Sequence, residues 1–190
     1  MRILFLSFWV LVFSYTPSLA QEMSVKEAYQ TLRHQQTTFK RSTANMSERE
    51  SKYLEHLFFV TDMAFRERMV MLQYFGKRKD DQYIGKYNDQ IGELMAGLAL
   101  VQPPNSRLAQ VTKLIKEAIT EQKTFYNEWH NARGSARYDA LHKNYTSHRL
   151  VQSSHGKLIQ AYNVLRQTYP REAQHNTQSF FDHLCALDFI

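Results

Sequence analysis

Residues that cross-link or sharply turn a chain are scarce in this sequence. Its 190 residues include one Cys, six Gly and four Pro. A single Cys excludes a small fold held together by disulfides, and it excludes a cysteine-rich metal site. The low Gly and Pro content argues against an all-β fold, because such folds need many turns.

The motifs of several common enzyme classes are also absent. The sequence has no Gly-x-Ser-x-Gly nucleophile motif, no His-Glu-x-x-His zinc motif and no glycine-rich phosphate-binding loop. Without Cys-x-x-Cys-His, covalent attachment of a c-type haem is excluded. We therefore expect a non-enzymatic protein that needs no cofactor. No motif in the sequence identifies a family.

The first 20 residues have the pattern of a cleaved secretory signal peptide. Arg2 supplies a positive charge, Ile3–Phe13 is almost wholly apolar, and Ser18-Leu19-Ala20 places small residues at a cleavage site. The apolar run is too short to cross a bilayer, which takes about 20 residues. We expect cleavage after Ala20 and a mature chain, residues 21–190, that forms one helical domain without a membrane span.

Export without disulfides favours a particular compartment. Secreted eukaryotic domains of this size usually contain paired cysteines, whereas a bacterial periplasmic protein can rely on core packing alone. The predicted location is therefore periplasmic or secreted, and we expect the mature chain to be soluble.

Helical patterns extend over nearly the whole mature chain. Ser24-x-x-Glu27 and Ser47-x-x-Glu50 match the capping box, in which a hydroxyl and a carboxylate each bond the backbone at a helix start. Apolar positions nearly encircle the helix that follows Ser47, which predicts a central helix. The predicted helices extend from Ser24; from Ser47 to about Lys79; from Asp80 or Asp81 to a stop before Pro103-Pro104; from Asn105 or Ser106 to an end at Gly134; from about Ser135 to Tyr169; and, as a short sixth helix, from Pro170.

Short connections between these helices predict antiparallel neighbours. The predicted fold is all-α, an up-and-down helical bundle of four main helices with short additional helices. The formal net charge of +6 is spread along the chain. No basic stretch alternates with aromatic residues as in a nucleic-acid-binding surface, so we expect no nucleic-acid partner.

Histidine is the enriched reactive residue, with eight in the chain. His148 and His155 lie seven positions apart on the predicted fifth helix, and Tyr145 and Tyr162 lie close to the same face. We select these four as candidate ligand-binding residues on a polar seam that faces the second predicted helix. About 10 Å separates the two imidazoles along the axis, so one metal ion does not readily bind both. Histidines hydrogen-bonded in the core are the simpler interpretation, and an acid–base enzyme that uses either one is a further alternative.

A metal- or haem-binding bundle is the second functional hypothesis. It would use core-facing histidines together with methionines. The methionines that fit this hypothesis are Met63, Met69 and Met71. Glu172-x-x-His175 matches one element of a di-iron bundle, and Asp139-x-x-His142 is a poorer version, but such a site needs two good elements and two further Glu residues.

Small residues follow one face of the third predicted helix, at Gly85, Gly92, Ala96 and Ala99. Because glycine destabilises a helix by up to about 1 kcal/mol relative to alanine, their presence calls for a reason. A smooth strip favours close approach of another helix or leaves a groove. The first functional hypothesis is therefore a helical bundle that binds a protein partner or a small ligand.

Overall fold

The computed structural model describes residues 46–170, and all regular secondary structure in that range is helical. Its five α-helices are α1 (Glu48–Gly76), α2 (Ile84–Ala99), α3 (Ser106–Asn131), α4 (Ala136–Lys143) and α5 (Arg149–Thr168). Single 3-10 turns, Asp80–Gln82 and Tyr145–Ser147, precede α2 and α5. The all-α prediction is confirmed for this part of the chain. The predicted signal peptide, first helix and sixth helix lie outside the described residues.

Helices α1 and α3 run in the same direction. Near their starts, the hydroxyls of Tyr53 and Thr112 are hydrogen-bonded at 2.6 Å. Near their ends, the rings of Phe75 and Trp129 pack with centroids 4.3 Å apart.

No helix between residues 46 and 170 combines the length and apolar content needed to cross a membrane.

Helices α2 and α5 run opposite to α3. Asn88, at the start of α2, donates a hydrogen bond to Asn127 near the end of α3, at 2.8 Å. The ring of His148, at the start of α5, packs on Phe125, also near the end of α3, with centroids 4.9 Å apart. These contacts place α2 and α5 antiparallel to α3.

The core surrounds α1, which is the central helix that the sequence predicts. The consecutive residues 57–61 are all buried. Since successive helical residues point about 100° apart, five of them cover the whole circumference. Aromatic side chains from α3, chiefly Phe125, Tyr126 and Trp129, fill the end of the core next to Phe75.

Two predicted helix starts are confirmed in detail. The backbone N–H of Glu50 donates to the Ser47 hydroxyl at 3.2 Å, and the Ser47 N–H donates to the Glu50 carboxylate at 2.8 Å, which completes the capping box. At the start of α3, the Asn105 side chain accepts from the Leu108 N–H at 2.8 Å.

The predicted start of the third helix is wrong. Asp80 and Asp81 belong to a 3-10 turn, and α2 begins later, at Ile84. The carboxylate of Asp80 is buried and accepts a hydrogen bond from the Tyr138 hydroxyl at 2.7 Å. Tertiary partners therefore use the oxygens that helix capping would need.

The predicted fifth helix, continuous from Ser135 to Tyr169, is also wrong. The chain leaves α4 at Asn144 (φ −105°, ψ 27°) and re-enters a helix only after His148, which is extended (φ −69°, ψ 135°). Between these two residues, Tyr145 is buried and accepts a hydrogen bond from Arg68 of α1. The break places this phenol inside the core.

The strip of small residues on α2 does not mediate close helix packing. All four positions, Gly85, Gly92, Ala96 and Ala99, are exposed. A Cβ atom built on Gly85 or Gly92 would meet no other atom within 4 Å. The packing expectation is therefore wrong, because the buried side of α2 is its Tyr87, Ile91 and Leu94 face.

Candidate functional site

An open groove of about 880 Å³ lies between the first turns of α1 and the loop that joins α2 to α3. The α1 wall contributes Arg49 and Lys52. The loop wall contributes Leu100, Val101 and Gln102. The groove thus combines a wall that carries two cations and one carboxylate, Glu48, with a wall that is mostly apolar.

A second groove, of about 420 Å³, lies on the other side of the same loop. Val101 and Gln102 line both grooves, and α3 contributes Lys113 and Lys116 to the second. Val101 therefore has a groove on each side. Its neighbour Leu100 lines only the larger groove, and we call these two loop residues the apolar ridge.

The local sequence explains why the apolar ridge protrudes. Pro103 disfavours a helical conformation at the residue before it, and neither Pro103 nor Pro104 has an N–H to donate to a helix. Helix α2 ends at Ala99, so Leu100 and Val101 belong to no helix. Leu100 is 85% exposed and Val101 39%. Elsewhere in residues 46–170, the only exposed large apolar side chain is Ile159, at 42%.

Glu50 holds together the helix ends beside the apolar ridge. Its Oε1 atom accepts hydrogen bonds from Asn105 at 2.6 Å and from the Tyr169 hydroxyl at 2.8 Å. These bonds join the start of α1, the start of α3 and the end of α5. Burial acts to raise the pKa of Glu50, but hydrogen bonds from Ser47, Tyr169 and Asn105 outweigh it, and the pKa lies below its usual value. The carboxylate is therefore ionised at neutral pH.

Positive charge predominates around the apolar ridge. The two grooves contain four cationic side chains and two carboxylates. Glu48 pairs with Lys52 at 2.7 Å, and Glu117 lies 3.9 Å from Lys113. Both are exposed pairs of the kind that contribute little to stability. Arg49 and Lys116 form no ion pair within the described part of the chain.

Two of the four candidate ligand-binding residues, Tyr145 and His148, lie before α5 rather than on it. The Tyr145 hydroxyl accepts from Arg68 at 2.9 Å and lies 3.2 Å from the Tyr126 hydroxyl. The Nδ1 atom of His148 accepts from the Leu150 N–H at 3.4 Å, as the N-cap of α5. Burial lowers the pKa of His148, which keeps its imidazole neutral at pH 7.

The other two candidates, His155 and Tyr162, lie on α5. His155 is exposed, and the ring of Tyr162 is partly buried with the Arg166 guanidinium 5.7 Å from its centroid. The four residues therefore do not share one face of one helix: Tyr145 bonds to Arg68 of α1, His148 caps α5 and His155 is exposed. A ligand-binding role for them remains a prediction.

The described residues give little support to the hypothesis of core-facing metal or haem ligands. Residues 46–170 contain no group of three or more His, Cys, Asp or Glu side chains placed to hold one metal ion. Asp139 is exposed and pairs with Arg78 at 2.6 Å, whereas His142 stacks on Phe75 and donates to its carbonyl at 3.1 Å. Met63 and Met71 are buried in the core and Met69 is partly buried, while Glu172 and His175 lie outside the described residues.

Sequence reasoning missed a buried carboxylate that joins three elements. Asp80 contacts the Nδ1 atom of His130 at 2.5 Å and accepts from Tyr138. Burial acts to raise the pKa of Asp80, but the bonds from His130 and Tyr138 and the nearby Arg133 outweigh it, and the pKa is lowered. The partners lie 50 and 58 positions away along the chain, so no local spacing signals the cluster.

A second missed cluster lies in the core. Glu67 and Arg68, adjacent on α1, are both buried. The Tyr83 hydroxyl donates to Glu67 at 2.6 Å, and Arg68 donates to Tyr145. The run of three consecutive charged residues, 66–68, within an apolar stretch is the one sequence signal that could have indicated it.

Among these features, the apolar ridge with its two grooves is the one that offers both open space and exposed apolar surface. In the Asp80 and Arg68 clusters, the buried charged groups are already bonded to other side chains of this chain.

No protein-family model, curated protein or solved structure matches this chain.

Proposed function

We propose that the protein is a secreted, periplasmic binding protein without enzymatic activity, and that its apolar ridge binds a segment of a protein partner. Signal-peptide cleavage after Ala20 delivers the mature chain to that compartment. The four long helices form an up-and-down bundle that holds the ridge in place. The observation that carries the proposal is the 85% exposure of Leu100, which lines the larger groove and is followed by Val101, which lines both grooves.

The energetic argument concerns the exposed leucine. Burying a leucine side chain fully gives about 1.5–3 kcal/mol, and Leu100 gains almost none of this within the described fold. Binding of a partner that covers the ridge would release this free energy of burial. Isolated exposed apolar residues are common, but Leu100 and Val101 are adjacent and flanked by concave surface, which is typical of an interaction site.

Hydrogen bonds among the helix ends beside the apolar ridge favour binding without a large rearrangement of these helices. Asn105 caps α3 and also donates to Glu50 of α1, so two helix starts are fixed relative to each other. Tyr169 adds the end of α5 through the same carboxylate. A preorganised surface loses less conformational entropy when a partner binds.

Photo-crosslinking from the ridge tests this proposal. A photoreactive residue at Gln102, which lines both grooves, should crosslink a partner protein in cells that express the full chain. The same residue at the exposed Gln160 of α5 is the matched control and should not give that product. Leu100→Asp should abolish the Gln102 product, whereas Ile159→Asp, at the other exposed apolar residue, should leave it unchanged.

The opposite results would contradict the proposal. A Gln102 product that survives Leu100→Asp, or one that forms equally from Gln160, would show that the ridge is not the binding surface. Circular dichroism of each variant would establish that its helices remain intact.

A further inference from the structure

The charges around the apolar ridge indicate the chemistry of its partner. We infer that the ridge binds an amphipathic peptide segment that carries carboxylates beside its apolar side chains. This inference rests on the proposed function and adds the class of ligand to it.

Cations flank the apolar ridge on both sides. On α1, Arg49 and Lys52 lie three residues apart and line the larger groove. On α3, Lys113 and Lys116 have the same spacing and line the smaller groove. Residues three apart on a helix share one face, so each pair presents its charges together.

Two of these cations already have partners, and two have none in the described part of the chain. Lys52 pairs with Glu48 and Lys113 lies near Glu117. The Lys52–Glu48 side chains are 73% and 69% exposed, so solvent screens this pair strongly. The arrangement leaves Arg49 on one side and Lys116 on the other to meet carboxylates of an incoming segment.

An apolar strip between two cationic rows fits a segment with the complementary pattern. Apolar side chains at positions i, i+3 or i+4, and i+7 would cover Leu100 and Val101, as in helix-in-groove recognition. Acidic side chains on the flanks of that strip would meet Arg49 and Lys116. Rim charges of this kind chiefly set partner choice and association rate, while the apolar contact supplies most of the affinity.

Synthetic peptides test the inference. Three amphipathic peptides of about 15 residues, with identical leucine positions and with Glu, Gln or Lys at the flanking positions, are titrated against the full chain by fluorescence anisotropy. The Glu peptide should bind about tenfold more tightly than the Gln peptide, as expected for two or three exposed charge contacts, and the Lys peptide more weakly than either. The preference should shrink as salt is raised.

Charge reversal at the ridge should reverse this order. The double variant Arg49→Glu and Lys116→Glu should prefer the Lys peptide over the Glu peptide. The matched control, Lys77→Glu with Lys143→Glu, makes the same change of net charge at the other end of the helices, next to the ends of α1 and α4. This control should keep the order of the unmodified chain.

Results other than these contradict either the preference for acidic peptides or the apolar ridge as the binding surface. Equal binding of the Glu and Gln peptides, or a Lys77/Lys143 variant that behaves like the Arg49/Lys116 variant, overturns the acidic preference. Failure of all three peptides while the Leu100-dependent crosslink persists also overturns the acidic segment but leaves the ridge as the binding surface. A crosslink from Gln102 to a second copy of this chain, or to its own residues 21–45, overturns both the acidic segment and the proposed binding of a separate partner protein.

Discussion

Glu50 shows how one side chain serves both a local and a tertiary role. One carboxylate oxygen completes the capping box with Ser47, and the other accepts from Asn105 and Tyr169. The local role is predictable from the Ser-x-x-Glu spacing alone. The tertiary role is not, because its partners lie 55 and 119 positions away.

We expect Glu50→Gln to lower the free energy of unfolding by about 1–2 kcal/mol, because it weakens the cap and removes a charged acceptor of two hydrogen bonds. Urea denaturation at pH 7 measures the change. Glu48→Gln in the same helical turn is the control and should cost less than about 0.5 kcal/mol, since its ion pair with Lys52 is exposed. Equal effects of the two substitutions would mean that the bonds to Asn105 and Tyr169 contribute nothing.

The helices themselves differ in how far the sequence could predict them. The starts of α1 and α3 follow from residues that cap by short-range bonds, Ser47 and Asn105. The break between α4 and α5 depends on Tyr145 reaching Arg68, which is 77 positions away. The exposure of the α2 strip depends on which side of that helix meets its neighbours, and apolar residues border both sides of the strip in the sequence.

The exposed glycines of α2 lead to a prediction for that helix. Gly92→Ala should raise the free energy of unfolding by about 0.5–1 kcal/mol, because alanine favours the helix and the added methyl group meets no atom within 4 Å. Gly134→Ala is the matched contrast and should destabilise the protein, since Gly134 has a φ of +79°. Thermal or urea denaturation measures both. Loss of stability in Gly92→Ala would show that another surface covers this strip.

At the scale of the whole described region, its all-helical character was predictable from the sequence, but the candidate site was not. Hydrophobic periodicity and short connections indicate four long helices that reverse direction. The same reasoning selected His148 and His155 by their spacing on a helix that proves to be broken between Lys143 and Arg149. The apolar ridge was overlooked because Leu100 and Val101 read as the last residues of an apolar helix, and only the end of α2 at Ala99 exposes them.

Hydrogen-bonded carboxylates at both ends of the described helices, the partly buried Glu50 and the buried Asp80, predict how stability depends on pH. The pKa values of Glu50 and Asp80 are lowered in the folded state. The unfolded chain therefore binds protons first as the pH falls, and its stability relative to the folded state increases. The stabilisation is present above the unfolded pKa, about 4, and is lost as pH falls through the folded pKa. We expect the free energy of unfolding to decrease steadily below about pH 5.

Asp80→Asn should isolate the contribution of the Asp80 carboxylate to the pH dependence of stability. Its carboxylate faces His130, Tyr138 and Arg133, so the variant should lose about 1–3 kcal/mol at pH 7. Urea denaturation from pH 7 to pH 3 should then show a shallower decline than in the unmodified chain, with the two curves converging in acid. Asp89→Asn, at an exposed residue of α2, should follow the unmodified curve. Parallel curves for Asp80→Asn and the unmodified chain would mean that the Asp80 carboxylate does not contribute to acid sensitivity, because only a group that protonates differently in the two states changes the slope.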